Sequence, residues 1–382
     1  MRGINLYISN FELREAWRLF LRFLLFVPIL AFVAFINTSI DPLNVYAKTV
    51  NKGQRNEYFI AQTLLEGKNV ELLREGKDDR LIQKHFVENL AVAPDIAILG
   101  SSHSMWLGDN IFLNKKVINN SVLGVALPDY LGIFEGYVKR KSYPKKVICV
   151  LDPQLVIFPI TSEKWVSIKE DVYRMLERIG ARTEKIKPLI VPQELRYIFS
   201  FSYFQKSLDN IQDKRSVFEY RVTEDVTGNY LMFKDGRTLL GFFLDNEEKN
   251  RKKTLRELYH GKYVQSLNQK KPDKELGDVL EQFIRYLMGR QVEVTLCLLP
   301  LHPELYASFH APQKGLKAID IDSFEQYYRN LAKRLNLEII GSYNPLVCNL
   351  KANDFYDVDH IKNDVIERML KQAGATCSMP GI

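Results

Sequence analysis

Apolar residues follow two patterns along this chain. Near the N-terminus they form one unbroken stretch; further on they come as short runs separated by amphipathic segments. Phe23 to Ile36 reads FLLFVPILAFVAFI without a charge, and Asn37-Thr38-Ser39-Ile40 extends it. Leu19 to Ile40, with Arg22 snorkelling toward the headgroups, supplies about the 20 residues a bilayer requires. The pattern therefore predicts one membrane-spanning helix, in which Pro28 is tolerated. A cleaved signal peptide would want a small-x-small site, which Asn-Thr-Ser-Ile-Asp-Pro after Ile36 does not offer. A buried amphipathic helix is the other alternative.

The short runs read differently. Asp95-Ile-Ala-Ile-Leu-Gly100 ends in glycine and small polar residues, as a buried parallel strand does where it meets a functional loop. Lys116 to Asn119, Lys146 to Leu151, Val292 to Leu299 and Leu337 to Gly341 repeat the pattern. Helical segments separate them, such as Ser323 to Leu335, where Phe324, Tyr327, Tyr328 and Leu331 recur at helical spacing. Strands alternating with helices imply an α/β fold with a parallel sheet covered on both faces. Ligands in such sheets gather at the carboxyl ends of the strands.

One connection is too long for a crossover. About 130 residues separate the strand ending near Leu151 from the one starting near Val292, where ~10–12 would suffice. Residues 159–274 are therefore expected to form an inserted, mostly helical subdomain. It carries an aromatic cluster (Tyr197, Phe199, Phe201, Tyr203, Phe204) and a basic run, Lys249 to Lys253. Packing and a solvated surface are the plain readings of these two features; contact with a membrane or a membrane partner is the sharper one.

Composition adds limits. The 382 residues, 46% hydrophobic and 26% charged, describe a folding chain of one large or two modest domains. Four cysteines without a CxxC pair exclude a disulfide scaffold and give no zinc-site spacing; Cys149 and Cys297 read as buried hydrophobes. A net charge of +7, diffusely placed, does not indicate nucleic acid. Arg2, Arg14, Arg18 and Arg22 precede the apolar span and Lys48, Lys52 and Arg55 follow it, which orients the N-terminus to the cytoplasm and the rest outside it. The expected organisation is residues 1–45 as cytoplasmic N-terminus and anchor and 46–382 as an extracytoplasmic domain.

Two segments carry chemistry. In Ile98-Leu-Gly-Ser-Ser-His-Ser-Met105 a serine follows a strand, near the N–H groups of a helix start that can stabilise an oxyanion. The elbow G-x-S-x-G fails here because Ser104 holds its fifth position. In Asp354-Phe-Tyr-Asp-Val-Asp-His-Ile361, Asp357 and His360 share one face if the segment is a helical turn. The carboxylate can then hold one imidazole nitrogen while the other takes a serine proton. Asp357 and Asp359 as metal ligands with His360, or a purely structural pair, are the alternatives. His103 lacks a carboxylate three residues back and reads as a loop side chain. His302 could line the site or cap a helix; His85, His260 and His310 have no chemical context.

Together these segments resemble the SGNH (GDSL-type) hydrolase superfamily. The likeness is strongest to its membrane-anchored branch, which includes alginate O-acetyltransferase-like proteins and the D-alanyl transfer protein of teichoic acid synthesis. Ile98-Leu-Gly-Ser-Ser-His-Ser matches the first block, with G-S-S for G-D-S and Ser102 at the nucleophile; Asp357-x-x-His360 matches the last. Asn119-Asn-Ser-Val-Leu-Gly124 resembles the second block, with Ser121 where the family often has its oxyanion-hole glycine. Val150-Leu-Asp-Pro153 resembles the strand end this branch has in place of G-x-N-D, and Asp41-Pro-Leu-Asn44 is also similar. The family's oxyanion asparagine has no clear counterpart; Asn119, Asn120 and Gln154 are the candidates. The resemblance implies a flavodoxin-like three-layer α/β/α sandwich and no cofactor or metal. It implies that His360, oriented by Asp357, activates Ser102, with Ser102 and Ser121 N–H groups on the oxyanion. It further implies acyl transfer to a glycan or polyol acceptor at the cell surface, with an integral-membrane acyltransferase as donor partner and no role for nucleic acid. A hydrolytic esterase or deacetylase, or a silent scaffold binding polysaccharide or that acyltransferase, are the alternatives. The insert lies outside the resemblance.

Overall fold

A computed structural model describes residues 17–18, 22, 24, 26–40, 52–73, 77–109, 111–112, 114–160, 162, 164–187, 197–213, 220–224, 230–240, 267, 270–310, 320–357 and 360–376. In chain order the elements are α1 (Val27–Ile40), α2 (Lys52–Leu65), β1 (Asn69–Leu72), α3 (Asp79–Glu88), β2 (Ile96–Leu99), β3 (Val117–Asn119), α4 (Leu127–Arg140) and β4 (Lys146–Val150). There follow α5 (Lys169–Arg178), α6 (Phe201–Asp213), β5 (Tyr220–Thr223), β6 (Tyr230–Met232), β7 (Thr238–Leu240), α7 (Lys274–Gly289) and β8 (Glu293–Leu298). Then come α8 (Pro303–His310), α9 (Ile321–Leu335), β9 (Glu338–Gly341) and α10 (Asn363–Thr376).

The chain divides into two units, residues 1–55 with 189–218, and 56–188 with 219–382. The larger unit is built on a five-stranded sheet in the order β3-β2-β4-β8-β9. Every pairing in it is parallel. Its strands are the apolar runs of the sequence. Ile96, Ile98, Ile148, Val150 and Cys297 point to one face and pack with Val365, Ile366 and Leu370 of α10. Ala97, Leu99, Val147, Cys149, Leu296 and Leu298, of alternate parity, are as deeply buried. Both faces are thus covered, as a parallel sheet demands. Helix α4 is buried at every position from Leu127 to Val138, and its Asp129 holds the buried Arg80 of α3 by two hydrogen bonds.

The same unit contains a second, antiparallel sheet in the order β5-β1-β6-β7. Three of its strands come from 159–274, which also holds α5 and α6, so the segment expected to be mostly helical carries strands as well; strands of three and four residues are too short to show an alternating pattern. The β6–β7 turn sits directly on β3. Gly236 has φ +80°, and a Cβ there would lie 2.3 Å from the Asn119 carbonyl oxygen, so the approach requires glycine. The Asn119 N–H donates to the Asp235 carbonyl at 2.8 Å and the Thr238 N–H to that of Met105 at 2.8 Å.

In the smaller unit α1 packs with α6. Asn37, buried on a mostly apolar helix, donates from its amide to the carbonyls of Tyr197 (2.9 Å), Ile198 (3.1 Å) and Ser200 (3.1 Å). Phe32 meets Phe204 edge to face at 6.0 Å, and Tyr197 lies 4.9 Å from Tyr203. Phe204 and the Tyr197–Ser200 backbone of the insert's aromatic cluster therefore pack against α1, while Phe26, Ile29, Phe35, Phe199 and Phe201 stay exposed. Among the described residues no helix is long and apolar enough to cross a membrane. Most of Leu19 to Phe26, together with Asp41 to Asn44, the basic run Lys249 to Lys253, His260, Asp359 and Cys377, lies outside the described residues.

Candidate active site

The site forms at the carboxyl ends of β2 and β4. Strand β2 is fully buried and stops at Gly100, where a Cβ would lie 1.9 Å from Ser104 Oγ. The chain then turns into a short 3₁₀ segment, Ser102–Ser104, whose first turn is capped by Ser101: its Oγ accepts the His103 N–H at 3.2 Å. This turn presents Ser102 at the strand end.

Asp357 and His360 approach from the other end of the chain. Neither Asp357 nor His360 is itself in a helix. A β-bridge pairs the flanking Phe355 and Ile361, and both of those side chains are anchored in the sheet's core. The Tyr356 N–H donates to the His360 carbonyl at 2.8 Å. His360 Nδ1 is 2.9 Å from both Asp357 carboxylate oxygens, and the His360 N–H donates to Asp357 Oδ1 at 2.8 Å. His360 Nε2 stands 3.0 Å from Ser102 Oγ. A carboxylate accepts only, so the proton lies on Nδ1 and Nε2 faces the hydroxyl as a base.

The oxyanion candidates require correction. Asn119 donates both amide hydrogens to the carbonyls of Ser104 and Leu107 at 2.7 Å, and its oxygen accepts the Ser121 N–H at 2.8 Å. Asn120 donates to Gln83 Oε1 at 2.8 Å and accepts the Tyr137 hydroxyl at 2.8 Å. Ser121 Oγ is 2.9 Å from Ser104 Oγ. These three residues are buried; Asn119 and Ser121 brace the turn that carries Ser102, and Asn120 ties α3 to α4. Gln154 is half-buried in the turn after β4. The backbone N–H of Ser102 makes no hydrogen bond among the described residues.

A small cavity of about 30 Å³, room for a short group, opens beside Ser102, His103 and His360. Its apolar walls include Met105, Trp106, Leu240 and Ile366. Leu240 belongs to β7, so the insert supplies part of this wall, a contribution with no signal in the sequence.

The sequence reading also missed a partnership. His103 Nδ1 is 3.0 Å from Asp152 Oδ1, so the imidazole is oriented by the aspartate of Val150-Leu-Asp-Pro153. The rings of His103 and His360 meet edge to face with centroids 5.2 Å apart. His302 takes the capping role: its Nδ1 accepts the Glu304 N–H at 3.2 Å. His310 pairs with Asp322 at 2.9 Å on the surface. Cys149 and Cys297 are buried as expected, and burial pushes the Cys149 thiol up to about 12. Among the described residues no group of three or more His, Cys, Asp or Glu side chains is placed to hold a metal ion.

No family model and no curated protein matches this chain. Among solved structures, a provisionally named platelet activating factor from Streptococcus pneumonia is similar over 82% of this chain and 95% of that chain. The two share 10% sequence identity with a TM-score of 0.36. A likeness at that level defines neither the fold nor the chemistry of this chain.

Proposed function

We infer that the protein is a serine-dependent acyl-transfer enzyme of the SGNH type, with Ser102, His360 and Asp357 as its catalytic triad. The observation that carries this reading is the unbroken chain of contacts from the Asp357 carboxylate through His360 to Ser102 Oγ, all at 2.9–3.0 Å. Such a relay lets the imidazole take the hydroxyl proton as Oγ attacks an ester or thioester carbonyl, and Asp357 stabilises the imidazolium that forms. General-base help of this kind supplies about 10²–10⁴ in rate. The Ser102 N–H is one donor for the developing oxyanion; a single donor in such a hole is worth roughly 10²–10³.

The acyl-serine then passes its acyl group to a hydroxyl. The small cavity, walled in part by Met105, Trp106, Leu240 and Ile366, favours a short acyl chain, and a glycan or polyol is the acceptor class that the family resemblance suggests. The apolar N-terminal stretch supports attachment to the bilayer through Leu19 to Ile40, with the catalytic residues on the extracytoplasmic side. A membrane acyltransferase would then be the donor partner. Transfer is preferred to hydrolysis because such an anchor sets the site beside a membrane-borne donor.

The test is to incubate the detergent-solubilised protein with p-nitrophenyl acetate and locate the acetyl group by mass spectrometry. Acetylation at Ser102 supports the reading. An intact Ser102 would leave the fold as a binding module for polysaccharide or for a membrane acyltransferase. Extraction of membranes with alkaline carbonate tests the anchor: the protein should stay in the pellet, and its release would show peripheral attachment.

A further inference from the structure

The site holds a second His–Asp pair that serine activation by His360 does not require. His103 follows the nucleophile directly, and its Nδ1 donates to Asp152 Oδ1 at 3.0 Å. Both side chains are more than nine-tenths buried, at 9% and 8% exposure. Burying a carboxylate costs several kcal/mol unless it is well paired, so a surface loop histidine would not call for one. The pair is also held by the frame. Strands β2 and β4 are adjacent, with Leu99 opposite Cys149. The Tyr130 hydroxyl joins the strand ends, its one hydrogen shared between the carbonyls of Leu99 and Val150, and the Tyr328 hydroxyl holds the Asp152 carbonyl at 2.9 Å. Asp152 is thus fixed against the turn that carries Ser102 and His103. His103, His360 and Ser102 line one cavity.

We propose that His103, oriented by Asp152, is a catalytic residue that exchanges a proton with the leaving group and with the acceptor, while His360 serves Ser102 alone. The proposal rests on Ser102 being the nucleophile. In the proposed resting site His103 carries two ring hydrogens, the Nδ1 one held by Asp152 and a mobile one on Nε2. In the first half-reaction Oγ attacks the carbonyl and its proton moves to His360. The bond from the acyl carbon to the leaving group breaks, and that group departs with the proton of His103. In the second half-reaction the acceptor hydroxyl attacks the acyl carbon and gives its proton to His103. The acyl–Oγ bond breaks, and His360 returns its proton to Ser102. Each imidazole ends as it began. Two bases 5.2 Å apart let the leaving group and the acceptor be served from one side and the nucleophile from the other.

The expectation is a dependence on the leaving group. p-Nitrophenolate departs without a proton, whereas an alkoxide needs one. On the full-length protein in detergent, acylation of Ser102 by p-nitrophenyl acetate and by ethyl acetate is followed for wild type, His103→Gln and Asp152→Asn. The His103→Gln enzyme should lose about 100-fold more rate on the ethyl ester than on the p-nitrophenyl ester, within the usual range for a general acid. Asp152→Asn should move the ratio in the same direction by less. The ratio is insensitive to partial misfolding, because both esters report on the same folded fraction. Equal losses on the two esters, with wild type acylated at Ser102, would overturn this role and leave the nucleophile standing. A wild-type protein not acylated at Ser102 overturns both.

Discussion

His360 Nε2 lies 3.0 Å from Ser102 Oγ across a sequence separation of 258 residues. The two reach each other because β2 ends at the buried Gly100 turn and because the Phe355–Ile361 bridge flanking His360 is anchored in the same core. A carboxylate on one imidazole nitrogen and an alcohol on the other is the arrangement the proposed general-base role requires.

The first prediction follows from that relay. Ser102→Ala and His360→Ala should each lower acyl transfer by roughly 10⁴-fold or more, the range for triads of this kind, and Asp357→Asn by less. Because the groups act as a unit, the Ser102/His360 double variant should be scarcely slower than either single one. Additive losses measured by steady-state kinetics would show independent roles.

The β6–β7 turn gives a prediction about packing. Gly236→Ala would force a side chain into a left-handed conformation, costing about 1–2 kcal/mol, and would place its Cβ 2.3 Å from the Asn119 backbone oxygen. Urea unfolding should show a stability loss of at least ~2 kcal/mol, because backbone cannot yield as a flexible side chain does. Substrate KM should rise as the Leu240 wall shifts. Gly289→Ala, where a Cβ meets nothing within 4 Å, is the comparison and should be neutral or slightly stabilising.

Glu57 gives a prediction about pH. Burial, with Asp78 and Asp79 nearby, pushes its carboxyl up to about 7 from an ordinary value near 4.5. The folded state therefore holds a proton that the unfolded state releases, and stability contributed by the neutral acid is lost as pH rises from about 4.5 through 7. The stability difference between Glu57→Gln and wild type should shift toward the variant over that interval, by up to ~3 kcal/mol. Thermal unfolding at pH 5 and pH 8 measures it; a difference independent of pH would contradict the assignment.

Asn37 gives one about the smaller unit. Replacing it by Ala removes the donor from the carbonyls of Tyr197, Ile198 and Ser200, each costly when buried without a partner. Amide hydrogen exchange along α6 should accelerate in Asn37→Ala, while exchange in β2 and β4 should not change.

The parallel strands were legible because each is a continuous apolar run, buried on both faces, ending in small residues. That Ser102, Asp357 and His360 come together was legible because the proposed triad chemistry restricts residue types strongly. Strands β6 and β7 were not, since three residues carry no period. Asn119 and Asn120 were read as oxyanion donors because composition cannot show where an amide points; their hydrogens go to the Ser104 and Leu107 carbonyls and to Gln83. His103 was passed over because its carboxylate was sought three residues away. Asp152 comes from the neighbouring strand end, 49 positions along the chain, which only the pairing of β2 with β4 brings near.

The central claim is that Ser102 is a nucleophile activated by His360, and a fluorophosphonate probe tests it most directly. Purified protein is treated with the probe, digested, and the modified peptide sequenced by mass spectrometry. The account predicts one label on Ser102, lost in Ser102→Ala, formed far more slowly in His360→Ala and retained in Ser101→Ala. Label on Ser101, or labelling of Ser102 at an unchanged rate without His360, would contradict it.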